Sequence, residues 1–400
     1  MKKLLLILLF LPMIGFGQQW TKEYYFAGVP GADWDDSRFS VQQTSDNGFM
    51  IFSGHLIKTD IYGDTIWTKD IGYVGGDGIQ TSDGGYLAIS GDSLFRLDSL
   101  GNFIWQKDIY FNAHRGIHTL DNGFAFIANS WYIHKQDDYP YLVKTNSLGD
   151  TLWTKRYTEG YIFESLYQTQ DSSFFITGRN SLNNPTDVFL MKVNPTGNVV
   201  WNYPFGLFNE GGRGTYITQT NDGGLIITGQ VEESGCDKLL LLKTDISGIL
   251  TWAKTISSSF CDDIGYFVQQ TTDGGYIITG DIWIGSDTKM WLIKTDMNGD
   301  TLWTRKFGNP YGNGQSVRQT NDGGYIITGN FYQNQFSVAV VLIKTNSSGV
   351  VTEIIDFTTS TDSKLLKVTD LLGRETKGKK NEVLFYIYDD GTVEKRIVIE

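Results

Sequence analysis

The stretch Gln319-Thr320-Asn321-Asp322-Gly323-Gly324-Tyr325-Ile326-Ile327-Thr328-Gly329 decides the fold, because six further copies of it occur along the chain. Those copies begin at Gln43, Gln80, His118, Gln168, Gln219 and Gln270, at spacings of 37 to 51 residues. Each copy keeps an Asp in its fourth place. Asp-Gly and Gly-Gly supply the positive φ that a tight hairpin turn requires, and Tyr-Ile-Ile-Thr has strand composition. Each copy therefore predicts two short strands joined by a turn.

A second repeated string lies between the copies and is clearest at residues 292–305 and 142–155. In the first of these, Asn298-Gly299 predicts a turn between two further strands. Four antiparallel strands repeated seven times predict an all-β fold, a seven-bladed β-propeller. The competing architecture is an open solenoid built from the same units.

The position of one tryptophan distinguishes the ring from the solenoid. The fourth strand of six units carries a Trp, at Trp67, Trp105, Trp153, Trp201, Trp252 and Trp303. The seventh unit has none, but Trp20-Thr21-Lys22 near the N-terminus copies the missing strand. We therefore expect the N-terminal strand to complete the last blade and close the ring.

A basic residue of the second string accompanies each turn aspartate. These residues are Lys58, Arg96, Lys144, Lys192, Lys243, Lys294 and Lys344. We expect either an ion pair between the two or an aspartate that accepts N–H groups of its own turn.

The segment Asp60 to Trp67 resembles the turn-and-Trp motif of pyrroloquinoline-quinone-type propellers and the Asp-box of sialidase-like propellers. In those families the motif is a structural hairpin, so the resemblance implies a fold and not an activity. The repeats from about Gln18 to Thr352 also resemble propellers of secreted proteins from Bacteroidetes-type bacteria.

Composition and the N-terminus indicate an exported chain. Lys2 and Lys3, an apolar run from Leu4 to Phe10 and small residues up to Gly17 are typical of a signal peptide, which we expect to be removed. The remaining 31 basic and 45 acidic residues give a net charge of −14, which disfavours nucleic acid as a partner. No later segment is apolar for long enough to span a membrane. We expect a secreted protein or one on the outer cell surface.

The C-terminal residues 364–400 predict a small β segment after a polar linker at residues 356–363. Val368 to Glu375 and Leu384 to Arg396 resemble the C-terminal sorting domain of type IX secretion cargo, which implies the secretion machinery as a partner. The predicted organisation is a signal peptide (1–17), a propeller (18–355), the linker and the sorting-type segment.

No residue pattern predicts catalysis or a cofactor. His114 and His118 lack further ligands for zinc, and Asp296 to Asp300 lacks the glutamate of an EF-hand loop, so we expect no metal site. No Gly-x-Ser-x-Gly motif occurs. The carboxylates are numerous, and a carbohydrate-active enzyme using two of them remains an alternative.

The two cysteines fall at the open end of one predicted hairpin. Cys236 precedes the third strand of the fifth unit and Cys261 follows the fourth. Because an exported chain meets oxidising conditions, we expect a disulfide between them.

The turns within the two hairpins are uniform, whereas the other connections vary in length and emerge at the opposite ends of the blades. Binding residues concentrate on variable loops that a rigid scaffold holds. The expected ligand-binding residues there are Trp34, Asp35, Asp36, Trp131, Tyr132, Arg213, Trp283, Tyr311 and Tyr332. The predicted function is a non-catalytic binding or surface-display module for a glycan or protein ligand, with a structural repeat of an adhesin as a further alternative.

Overall fold

A computed structural model describes residues 19–25, 39–72, 76–109, 112–129, 139–158, 160–180, 186–206, 211–258, 260–308, 311–334 and 337–351, and, near the C-terminus, 365–369, 374–376, 383–388 and 393–397. The chain forms two compact units, Met1–Val351 and Thr352–Glu400. Within these ranges there is no helix with the length and apolar character of a membrane span.

The first unit is a seven-bladed β-propeller, as the repeats predict. Each blade is a four-stranded antiparallel sheet, and in blades 1 to 6 its strands follow chain order from the centre outward. Blade 1 contains β2 (Ser40–Gln43), β3 (Phe49–Phe52), β4 (His55–Thr59) and β5 (Thr65–Asp70). Blade 2 contains β6 (Gly76–Gln80), β7 (Tyr86–Ser90), β8 (Ser93–Leu97) and β9 (Phe103–Asp108). Blade 3 contains β10 (Asn112–His118), β11 (Phe124–Asn129), β12 (Pro140–Thr145) and β13 (Thr151–Arg156).

The strands lengthen in the later blades. Blade 4 contains β14 (Tyr161–Gln168), β15 (Phe174–Asn180), β16 (Asp187–Val193) and β17 (Val199–Pro204). Blade 5 contains β18 (Gly212–Gln219), β19 (Leu225–Glu232), β20 (Asp237–Thr244) and β21 (Leu250–Ile256). Blade 6 contains β22 (Ile264–Gln270), β23 (Tyr276–Ile284), β24 (Asp287–Thr295) and β25 (Thr301–Phe307). Blade 7 contains β26 (Tyr311–Gln319), β27 (Tyr325–Asn334) and β28 (Ser337–Thr345), with β1 (Trp20–Tyr24) as its outer strand.

The N-terminal strand closes the ring, which confirms the prediction made from Trp20. β1 pairs antiparallel with β28, with Trp20 opposite Lys344 and Tyr24 opposite Val340. Trp20 and Tyr24 also pack on the apolar cluster between blades 7 and 1. The open solenoid is therefore excluded.

The core lies between neighbouring blades, and the repeated Trp is its outer part. Each indole sits under the outer turn of the following blade, where a Cβ on the turn glycine would lie 2.5–2.9 Å from a ring atom. The seven contacts are Trp20–Gly63, Trp67–Gly101, Trp105–Gly149, Trp153–Gly197, Trp201–Gly248, Trp252–Gly299 and Trp303–Gly349. These glycines have a positive φ, so both the turn and the indole require the absence of a side chain.

Both expected roles of the turn aspartates occur together. All seven form ion pairs with the basic residue of the same blade, at 2.5–3.3 Å. Asp121, for example, also accepts hydrogen bonds from the Thr119 hydroxyl and the Gly123 N–H. Burial opposes ionisation there, but Lys144 and these two donors outweigh it and lower the pKa of Asp121 to about 2.

The repeated glutamine connects one blade to the next. The Gln80 Oε1 atom accepts the Ser45 N–H of blade 1, and its Nε2 donates to the Gly84 carbonyl oxygen of its own turn. The same interblade bond recurs at Gln168, Gln270, Gln319 and Gln43, the last across the ring closure.

The second unit contains a three-stranded antiparallel sheet, β29 (Leu365–Thr369), β30 (Val383–Tyr388) and β31 (Val393–Ile397). The small C-terminal β segment is thus present. The predicted linker and the boundary at residue 355 lie outside the described residues.

Candidate functional site

The variable face is formed by the connections between second and third strands and between consecutive blades. In blades 1 and 2 the connection between the second and third strands is only two residues long. In blade 1 it joins Phe52 to His55, and in blade 2 it joins Ser90 to Ser93. In blades 5 to 7 the second and third strands extend further toward this face. The variable face therefore projects further at blades 5 to 7 than at blades 1 and 2, and a ligand surface is expected on the projecting side.

In blades 6 and 7, one strand position places an aromatic ring on this face. It is three residues after the residue that ends the repeated string, at Trp283 in blade 6 and Tyr332 in blade 7. In the sequence, the corresponding residue is Trp131 in the third copy, Ser181 in the fourth and Glu232 in the fifth. Alternation along β23 directs the Trp283 side chain toward blade 7, because the Asp281 carboxylate two residues earlier accepts the blade 7 Gly314 N–H at 3.0 Å.

The structure places four of the nine predicted binding residues. Trp283 and Tyr311 are 39% and 38% exposed. Tyr311 is opposite Tyr332 across the β26–β27 pair, and Arg213 is on the innermost strand of blade 5. The other five, Trp34, Asp35, Asp36, Trp131 and Tyr132, lie outside the described residues.

Arg213 belongs to a hydrogen-bonded chain that runs to Trp283. The Arg213 Nε donates to Gln230 Oε1 at 3.0 Å, and Gln230 Nε2 donates to Asp237 Oδ2 at 2.8 Å. The Asp237 carbonyl oxygen accepts the Asp263 N–H at 3.1 Å, and the Asp263 carboxylate lies 3.4 Å from the Trp283 N–H, which donates to it. The chain thus links the Arg213 side chain to the Trp283 backbone across the junction between blades 5 and 6.

Asp263 is the buried centre of this junction. Its residue is fully buried, and its carboxylate accepts hydrogen bonds from the Ser258 N–H and hydroxyl as well as from Trp283. Burial raises the pKa of Asp263 above its ordinary value despite these donors. Because its oxygens already have partners, this carboxylate serves to hold the loop at residues 256–264 against blade 6.

A disulfide between Cys236 and Cys261 closes the same loop, with 4.9 Å between the Cα atoms. Ser234, Cys261 and Asp262 all have a positive φ, which side chains other than glycine rarely adopt. Such backbone persists only where surrounding structure over-determines it. The disulfide and the Asp263 hydrogen bonds provide that constraint.

Phe260 is an exposed aromatic that sequence reasoning did not select. It is 53% exposed, and its N–H donates to the Ser258 hydroxyl, which in turn lies 3.5 Å from the Trp283 carbonyl oxygen. Its position directly before Cys261 was the available signal, because a disulfide fixes its neighbours as well as the cysteines. The loop that carries Phe260 thus lies against the Trp283 backbone, while the Trp283 side chain is directed toward blade 7.

The centre of the ring is crossed by stacked side chains. Arg115 lies over the Tyr216 ring at 4.8 Å, Tyr216 and Phe267 have ring centroids 3.9 Å apart, and Arg318 lies over Phe267 at 4.4 Å. These residues come from blades 3, 5, 6 and 7. The stack therefore joins the innermost strands of four blades.

The described residues include no group of three or more His, Cys, Asp or Glu placed to hold a metal ion. The Asp296 carboxylate in the turn considered for calcium accepts the Asn298 and Asp300 N–H groups. His118 contacts Phe124 edge-on, and the His114 side chain lies outside the described set.

Comparisons with known proteins give weak structural likenesses. No family model and no curated protein matches the chain. A protein of unknown function from Dyadobacter fermentans is similar at 9% identity with a TM-score of 0.48, over 82% of this chain and 98% of that one. BamB from Moraxella catarrhalis is similar at 14% identity with a TM-score of 0.46, over 80% and 100%. A protein of unknown function from Bacteroides caccae is similar at 12% identity with a TM-score of 0.44, over 68% and 93%.

Proposed function

We propose that this chain is an exported, non-catalytic β-propeller that binds a glycan on the variable face of blades 5 to 7. The observation that carries the proposal is the set of exposed aromatic rings, Trp283, Tyr311 and Phe260, on strands and loops that a closed ring holds in place. Rigid aromatics provide large contact areas at low cost in conformational entropy, and sugars stack on such rings. The longer strands of these blades present the rings above the rest of the face.

The test is a glycan array probed with the mature protein and with its Trp283→Ala variant. The matched control is Tyr62→Ala, which removes another exposed aromatic, 47% exposed, from the opposite face of blade 1. We expect binding by the parent and by the Tyr62 variant, and at least a tenfold loss in the Trp283 variant. Equal binding by all three would contradict the location, and an empty array would contradict a glycan ligand.

We also propose that residues 364–400 are a sorting-type segment that takes the protein to the outer surface or the medium. Support comes from the Asp370-Leu371-Leu372-Gly373-Arg374-Glu375 string and from the strand that ends the chain. Removing residues 364–400 should retain the protein inside the cell envelope, as surface labelling of cells would show. Unchanged export of the shortened chain would refute this role.

A further inference from the structure

The geometry points to the outer strand β17 of blade 4 and the adjoining outer turn of blade 5 (residues 245–249) as an interface at which a second copy of this chain binds. This surface lies on the rim of the propeller and not on the variable face, so the inference is independent of glycan binding.

β17 differs from the other six outer strands because it carries no charge. Each of the others has a basic residue two positions after the repeated Trp, whereas β17 has Tyr203 there. The basic residues are Lys22, Lys69, Lys107, Lys155, Lys254 and Arg305. An open sheet edge can pair with another chain, and lysines on edge strands oppose such pairing. Among the described strands β17 is hydrogen-bonded only to β16, so its outer edge is open and lacks this protection.

The partner of the missing basic residue is replaced as well. At three other blade boundaries the Lys forms an ion pair with an Asp in the outer turn of the next blade, as Lys254 does with Asp300 at 2.7 Å. The residue of blade 5 that corresponds to Asp300 is Ile249. The boundary between blades 4 and 5 therefore has two apolar side chains, Tyr203 and Ile249, at the positions of an ion pair.

Contacts place these side chains on one surface. The Tyr203 ring stacks on Trp201, with ring centroids 4.7 Å apart. A Cβ on Gly248 would lie 2.5 Å from the Trp201 ring and 3.0 Å from Tyr203 Cδ2. Ile249 directly follows Gly248, so the blade 5 turn brings it beside the Tyr203 ring.

The apolar surface extends along β17 and past the blade 5 turn. Leu250 corresponds to Phe103 of blade 2, over which Lys69 of the preceding blade lies at 5.1 Å, so Leu250 also faces the boundary with the preceding blade. The apolar side chains of this surface, each 38–58% exposed, are Val199, Val200, Tyr203, Ile246, Ile249 and Leu250.

The area of this surface matches what a dimer needs. The six side chains together expose on the order of 500 Å², toward the upper end of the apolar patches that monomers carry. A stable interface buries about 800 Å² per partner, of which about 60% is apolar, which is again about 500 Å².

A second copy is the partner that this surface fits. In a two-fold dimer the same patch occurs on both sides, and a patch without charge meets its own copy without repulsion between like charges. Two identical edge strands that pair antiparallel are related by a two-fold axis, so the open edge of β17 is complementary to itself. The net charge of −14 makes copies repel one another elsewhere, which favours contact at the uncharged rim.

The experiment measures the oligomeric state of the mature full chain by sedimentation velocity over a concentration series. The test variant carries Tyr203→Lys and Ile249→Asp together, which recreates the ion pair of the other boundaries and so preserves the fold. We expect the parent to dimerise with a dissociation constant on the order of 10 μM, and this constant to rise at least about tenfold in the variant. The control Ile104→Lys changes a residue that is 56% exposed on the outer strand of blade 2, and it should leave the constant unchanged.

Each result supports or overturns the interface. A parent that stays monomeric at about ten times the expected constant would overturn the second copy as the partner, also if an uncharged extended peptide binds in its place. A dimer that persists in the double variant, or that Ile104→Lys weakens equally, would place the contact elsewhere. An unchanged urea midpoint of the double variant shows that it is folded. Because neither substitution touches the variable face, glycan binding by the double variant should equal that of the parent, and the two proposals can fail separately.

Discussion

Replacing Trp20 by Ala tests the ring closure directly. The indole of Trp20 packs edge-on against Phe49 of blade 1, with ring centroids 5.7 Å apart, and lies under the Gly63 turn. It contacts an apolar cluster built from blades 7 and 1, while its own strand β1 pairs only with β28 over five residues. The substitution therefore removes packing from the interface at which the first and last strands of the propeller meet.

The expected loss follows from the burial of Trp20. A fully buried Trp or Phe replaced by Ala costs about 3–5 kcal/mol of the free energy of unfolding. Trp20 is only partly buried, so we expect about 2–3 kcal/mol. Since a five-residue outer strand has little else to hold it, β1 should also open locally, as weakly anchored elements do.

The assay combines urea unfolding with native-state hydrogen exchange. Trp67→Ala is the matched control, because Trp67 makes the equivalent contacts with Tyr86, at 5.6 Å, and with Gly101. Its strand, however, belongs to a blade formed by consecutive strands and does not close the ring. Both variants should lose similar stability, and only Trp20→Ala should raise amide exchange in β1 and β28. A Trp20 variant that loses less than about 0.5 kcal/mol, with unchanged exchange in these strands, would refute the closure argument.

Three further predictions concern the turns and the disulfide. The pKa of each of the seven turn aspartates is lowered on folding, so the stability that they contribute is present above about pH 4 and is lost as the pH falls toward 2; a urea midpoint that stays constant from pH 5 to 2 would contradict this. Gly299→Ala should destabilise more than Gly323→Ala, because both have a positive φ, at 81° and 79°, but only the first would place a Cβ 2.7 Å from Trp252; equal melting temperatures would contradict the packing role. Replacing Cys236 and Cys261 by Ser should lower the free energy of unfolding by about 3 kcal/mol through the loss of loop-closure entropy, and an unchanged urea midpoint would show that the disulfide does not stabilise the fold.

The fold was predictable because the interactions that define it recur seven times. Turn residues such as Asp322 and Gly323 predict the hairpins. The last repeat lacks the Trp of the fourth strand and Trp20 supplies one, which predicts the ring closure. Each signal is local in sequence and repeated, so a single anomalous unit such as the one with His118 does not obscure it. The paired roles of Asp and Lys also followed from their joint recurrence.

The candidate site was predictable only in part, because it depends on side chains that do not recur. Trp283 could be selected as an unusual residue of a variable connection, but its hydrogen-bonded link to Arg213 passes through Asp263 and Gln230, which are ordinary residues of two different blades. Nothing in the chain order indicates that Asp263 is buried. The sequence signal for Phe260 is its position directly before Cys261, whereas the contact of that loop with blade 6 is visible only in the fold.

Because each indole packs against the turn glycine of the following blade, the number of repeats in such a gene can change without disrupting these contacts. In blades 1 to 6 one copy of the sequence repeat forms one blade, and each indole packs on the turn glycine of the next copy, so every such contact is encoded within a copy and its successor. Duplicating or deleting one whole copy would leave every seam chemically matched, and the circle would differ only in its diameter. Copy number can therefore drift through recombination while the loops above diversify independently.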